Sequence, residues 1–116
     1  MVHIVKAHQR DLKPYSVPGA TVQVSDAIVS RDRNLSAGFT EYLEASRLEW
    51  TFDYNEVFFM VEGALEIHPE GEEIIRFETG DLGFIEKDTK TVIVVPERAY
   101  LVHCTQPAWR EEADAS

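Results

Sequence analysis

The feature that most limits what this chain can fold into is the punctuation of its apolar residues. They come in short runs broken by Gly, Pro, Asp or Asn about every 8–12 residues, the rhythm of a β-sandwich or small barrel. Nowhere do they sustain the period of a long amphipathic helix. Leu48, Trp50, Phe52 and Tyr54 alternate with Glu49, Thr51 and Asp53, the pattern of a strand with one buried face. Residues 56–62 are apolar on both faces and read as a strand covered on both sides, ended by Gly63 and continued after a bend by residues 64–68. Shorter strands are expected at 21–24, 28–29, 36–42, 73–78, 82–85, 91–95 and 99–105, separated by turns such as Pro69-Glu70-Gly71-Glu72 and Thr79-Gly80-Asp81. The expectation is an all-β chain with an N-terminal arm over 1–20, a two-sheet β-barrel over 21–109 and a polar, acidic tail over 110–116.

A chain of 116 residues is one domain, and at this size about two thirds of the unfolded surface is buried on folding, enough for a core without a disulfide or metal staple. Eleven Lys and Arg against 21 Asp and Glu give a net charge of −10. That balance repels phosphate backbones and anionic lipid, so neither nucleic acid nor a membrane surface is expected as a partner. The single cysteine, Cys104, permits no internal disulfide and no thiolate metal cluster, and nothing asks for an oxidising compartment. The first ten residues lack an apolar signal core, and no apolar run approaches the roughly 20 residues of a spanning helix. A cytoplasmic location is expected.

Two stretches carry a family resemblance. Glu56 is followed by six residues and Gly63, and Gly80-Asp81-Leu82-Gly83 comes one hairpin later. Both are similar to the two sequence blocks of cupins, which implies an RmlC-like double-stranded β-helix, a jelly-roll barrel of two antiparallel sheets. Within cupins the chain resembles the EutQ-like group of ethanolamine utilisation. The residues that carry this are Ser36-Ala37-Gly38-Phe39, the box from Trp50 to Glu56, the hairpin Glu62-Gly63-Ala64-Leu65-Glu66-Ile67, Gly80-Asp81 and the closing Pro107-Ala108-Trp109. Together they span about residues 20–110. The departures matter as much. By the family spacing, the three metal-binding histidines of other cupins would fall at Trp50, Phe52 and Thr91, and only the acidic ligand position is kept, at Glu56. A catalytic metal wants about three or four N or O donors, so no cofactor is expected. The second block also has Glu86 and Asp88 where the family pattern has Pro and Gly.

Glu56 shares a strand face with Phe58 and Met60, and the resemblance points that face into the barrel. A carboxyl walled by Trp50, Phe52 and Phe58 loses hydration, which raises its pKa and suits it to acid–base work. The bland alternative is that it satisfies buried backbone or Tyr54. Tyr54 could orient a ligand through its hydroxyl or serve as a rim aromatic, and Trp50, Phe52, Phe58 and Met60 would shape an apolar wall or simply pack the core. Glu41 alternates with Phe39 and is expected inward as a second carboxylate, against the alternative of an exposed strand glutamate. Thr91, at a vacated ligand position, could contact substrate or be an ordinary strand threonine. His103 is the histidine expected inside, and with Glu41 and Glu56 it forms the one conceivable set for an atypical divalent metal.

Three functions follow. The first is a small molecule bound or transformed around Glu56. The second is a non-enzymatic binding or assembly module that forms a homodimer. The third is a metal-dependent enzyme on a rearranged site. The resemblance adds acetate kinase activity, although a chain of this charge without a Gly-rich loop offers little to phosphates.

Overall fold

In the computed structural model, which describes residues 1–110, nine strands follow a single 3-10 turn at Ala7–Gln9. They are β1 (Lys13–Tyr15), β2 (Val22–Val29), β3 (Ser36–Tyr42), β4 (Ser46–Phe52), β5 (Asn55–Pro69), β6 (Ile75–Glu78), β7 (Leu82–Ile85), β8 (Thr89–Val95) and β9 (Ala99–Gln106). Every pairing is antiparallel. One sheet runs β1-β2-β3-β9-β5-β7 and the other β4-β8-β5-β6, so β5 belongs to both. The tail at 111–116 lies outside the described residues. Among those described, no helix is long and apolar enough to cross a membrane.

The structure joins what the sequence separates at Gly63. Residues 55–69 form one strand that carries a bulge between Met60 and Glu62 and bends from the first sheet into the second. Gly63 takes φ +80°, and a Cβ there would lie 2.1 Å from the Arg98 carbonyl oxygen, so this corner needs glycine. A second bulge fuses the expected strands at 21–24 and 28–29. Ser25 pairs with Phe39 and Ile28 with Ala37, which leaves Asp26 and Ala27 opposite Gly38 alone. A Cβ on Gly38 would sit 1.8 Å from the Ser25 carbonyl oxygen. The glycine of the Ser36–Phe39 motif therefore admits the bulge that carries Asp26. Asp88 stands where the cupin pattern has glycine, and it takes φ +72°, a conformation Asp tolerates better than most residues.

The second half of the N-terminal arm joins the barrel. β1 pairs with β2 of the same chain, and Tyr15 and Val17 pack against the core. The core fills the space between the sheets with Phe52, Phe58, Met60, Leu65, Ile93 and Leu101 among others. Outside, Arg10 places its guanidinium 4.5 Å from the Phe39 ring centroid and hydrogen-bonds the Tyr100 hydroxyl.

Candidate functional site: an acid in an aromatic cavity

The inward faces of both sheets leave a cavity of about 70 Å³. β5 brings Glu56 and Phe58 to it, β4 brings Leu48, Trp50 and Phe52, and the turn into β5 brings Tyr54. Thr40 and Tyr42 come from β3, Leu101 and His103 from β9, and Trp109 from the C-terminal segment. Glu56 keeps partial access through the cavity it lines. Protein surrounds the carboxyl closely enough that lost hydration pushes its pKa up to about 8. Among the described residues its carboxyl has no hydrogen-bond partner, and neither has the Tyr42 hydroxyl. At neutral pH Glu56 is therefore largely protonated, able to donate or accept.

The groups around it hold fixed protonation states. Burial first, then the charge of Glu56, pushes the Tyr42 and Tyr54 hydroxyls far above the usual phenol range. His103 is driven down to about 4 by burial, with Asp26 opposing and Arg110 adding to the shift. Its Nδ1 lies 2.8 Å from Thr40 Oγ1, while Nε2 is buried without a partner, 3.9 Å from Asp26 Oδ1. The Trp50 indole N–H donates to the Tyr54 hydroxyl at 2.9 Å, which leaves the phenol proton free for another acceptor.

A buried carboxylate anchors Trp109 at the cavity. The Asp26 side chain is fully buried; it accepts from Trp109 Nε1 at 2.5 Å and from the Arg110 guanidinium through Nε at 2.8 Å and through Nη2. Trp109 packs against Tyr15, Trp50 and Tyr54, at centroid separations of 5.2, 6.0 and 6.4 Å.

Of the residues singled out in the sequence, Glu56, Tyr54, Trp50, Phe52, Phe58 and His103 meet at this cavity. Met60 is wholly buried in the core and is not on the cavity wall. Thr91 is buried too, with Oγ1 donating to the Trp50 carbonyl at 2.7 Å, so its hydroxyl is spent on the sheet. Glu41 differs from expectation. Its neighbours Thr40 and Tyr42 face the cavity, and Glu41 lies on the opposite face, accepting from Gln23 at 2.7 Å and Arg98 at 2.5 Å. Those donors, Arg98 first, hold its carboxyl below the usual range. The set Glu41, Glu56 and His103 is thus not assembled, and among the described residues no group of three or more His, Cys, Asp or Glu is placed to hold a metal ion. The positions vacated by the cupin histidines do not fit one either: the Trp50 N–H and the Thr91 hydroxyl are already bonded, and Phe52 has no donor atom.

Sequence reasoning missed Tyr42, Asp26 and the place of Trp109 in the cavity wall. The inward parity of β3 was open because both Phe39 and Tyr42 are apolar enough to be buried. For Asp26, the lapse in alternation between Val24 and Ile28 was the available signal.

A family model described as "Ethanolamine utilisation protein EutQ" matches residues 2–111. The chain belongs to the EutQ family. A curated relative, "Acetate kinase EutQ" of Clostridioides difficile (strain 630), is 29% identical over 105 residues, covering 90% of this chain and 66% of the relative. The chain therefore spans just under two thirds of that relative's length. The crystal structure of a putative ethanolamine utilization protein Q from Salmonella typhimurium LT2 is similar with a TM-score of 0.78 at 25% identity, over 92% of this chain and 87% of that one. An RmlC-like cupin from Shewanella frigidimarina shares the fold, with a TM-score of 0.72 at 19% identity over 97% and 96% of the two chains. The two curled sheets are a cupin jelly roll, and this EutQ-family chain is linked by its family to ethanolamine utilisation.

Proposed function

We propose that this EutQ-family cupin binds or transforms a small metabolite inside the barrel in the cytoplasm, with Glu56 as the group that bonds to it and gains or loses a proton. The observation that carries this is the unpartnered Glu56 carboxyl in a cavity whose walls, Thr40 and His103 apart, are apolar and aromatic. A buried acid without a partner is costly to keep, and a ligand supplies the partner. Tyr42 from β3 and Tyr54 from the turn before β5 also line the cavity and carry hydroxyl protons.

The test is a panel of small amines, carboxylates and alcohols, screened by thermal shift against wild type and Glu56→Gln. Saturation at a hundredfold excess over Kd adds about 2.7 kcal/mol, a rise of several degrees. Ligands that raise the wild-type Tm and lose most of that rise in Glu56→Gln support the proposal. A panel that leaves wild type unmoved, or moves both proteins equally, refutes it.

A second, compatible role as an assembly module is favoured by the outer face of the first sheet. Val57 pairs with Phe84 and Phe59 with Leu82, and all four side chains are exposed, Leu82 and Phe84 by 70% and 61%. A contiguous apolar face of this kind marks an association surface, here for a second copy of the chain. A change of Phe59→Glu would then shift a dimer to monomer in light scattering; a wild-type monomer at high concentration would end this role.

A further inference from the structure

We infer that the ligand of the cavity is a small organic cation, an alkylammonium held between Glu56 and the π-faces of Trp50, Tyr54 and Trp109. The inference rests on the proposed binding role of the cavity and narrows its ligand to one charge class.

Three features point this way. First, among the described residues that line the cavity there is no Lys or Arg, and Glu56 is the one carboxylate. An anion would meet no countercharge, whereas a cation would meet the single group able to become one. Second, aromatic side chains of the cavity wall form a cluster. Trp50 and Trp109 are 6.0 Å apart, Tyr54 lies 6.4 Å from Trp109, and Tyr15 touches both indoles at 6.2 and 5.2 Å. Both indole N–H groups are already bonded, Trp50 to Tyr54 and Trp109 to Asp26, so these rings have only their π-systems to offer. An electron-rich ring face attracts a desolvated cation. Third, the cation that touches this cluster is already paired: the Arg110 guanidinium carbon lies 4.5 Å from the Trp109 ring centroid and 5.5 Å from that of Tyr15. That charge does not oppose the ligand, because Arg110 is paired with the buried Asp26 carboxylate.

Binding a cation and ionising Glu56 are then one event. The ammonium removes the cost of a buried carboxylate, and the Glu56 proton leaves for solvent. Other titratable groups nearby do not take part. Tyr42 on β3 and Tyr54 before β5 stay protonated, His103 on β9 stays neutral, and the Cys104 thiol on the other face of β9 is raised by burial and by Glu56. Asp26 and Arg110 remain locked together behind His103. The strand partners directly opposite Glu56, Ile85 and Thr105, carry no charge.

The experiment is calorimetric titration of the full chain with ethylammonium chloride, in buffers of different ionisation enthalpy, beside sodium propionate and 1-propanol as anionic and neutral probes. Ethylammonium should bind with release of close to one proton at neutral pH. Its affinity should rise about tenfold per pH unit below pH ~8 and level off above. Glu56→Gln, which swaps a neutral acid for a neutral amide, should abolish both the proton release and the slope. In NMR the two indole N–H signals should move on titration, placing the cation at Trp50 and Trp109. Propionate or propanol binding in place of ethylammonium overturns the cation inference and leaves the cavity's binding role standing. If none of the three binds, both fall. Ethylammonium binding with no proton release, or with an unchanged slope in Glu56→Gln, also overturns it.

Discussion

The cavity acid makes the stability of this protein fall as pH rises through the neutral range. Glu56 has its pKa raised from the ordinary 4.5 to about 8, with burial as the cause. Below the ordinary value both folded and unfolded chains hold the proton, and the group has no effect. Between 4.5 and about 8 the folded chain keeps a proton that the unfolded chain has released, so stability declines as pH increases. Each unit costs about 1.4 kcal/mol, and the whole window on the order of 5 kcal/mol. Above about 8 both states are ionised and the loss is complete. Other carboxylates, and repulsion within a chain of net charge −10, also vary with pH. The Glu56→Gln variant shares all of them and lacks only this proton. Urea unfolding of both proteins at intervals from about pH 5 to about pH 8 isolates the effect. The wild type should lose about 1.4 kcal/mol per unit relative to the variant. A difference that stays flat across this range would show that Glu56 ionises as in water and would refute the picture of a desolvated acid.

Three other outcomes are expected. Gly38→Ala forces a Cβ to within 1.8 Å of the Ser25 carbonyl oxygen, so it should cost at least about 2 kcal/mol in urea unfolding; a change near zero would mean the bulge carrying Asp26 rearranges freely. Asp26→Asn breaks a buried pair with Arg110, and should cost roughly 2–4 kcal/mol while red-shifting tryptophan fluorescence as Trp109 loses its anchor; unchanged emission would show that Asp26 does not hold the indole. If the acetate kinase activity in the relative's name extends to this chain, nucleotide with Mg²⁺ should raise the Tm; at millimolar nucleotide an unmoved transition ends that proposal.

The all-β architecture was legible because strand alternation and turn chemistry are local properties. The alternation from Leu48 to Tyr54 brought Trp50 and Phe52 to one face, and the spacing from Glu56 to Gly63 marked the strand that the barrel bends around. Alternation put Glu56 on one face with Phe58 and Met60, and the cupin resemblance pointed that face inward. Alternation cannot say which face of a strand is buried when both carry large side chains. On β3 the choice between Phe39 with Glu41 and Thr40 with Tyr42 was made by the neighbours: Arg10 covers Phe39 from outside, Arg98 draws Glu41 to the same face, and Tyr42 is left to the cavity. Likewise Asp26 and Trp109, 83 positions apart, meet only because the bulge opposite Gly38 and the end of β9 converge. The sequence determined the strands, the turns and the presence of an acid among aromatics. Tertiary structure decided what surrounds that acid, because burial and hydrogen-bond pairing depend on segments far apart in the chain that come together only when the sheets close.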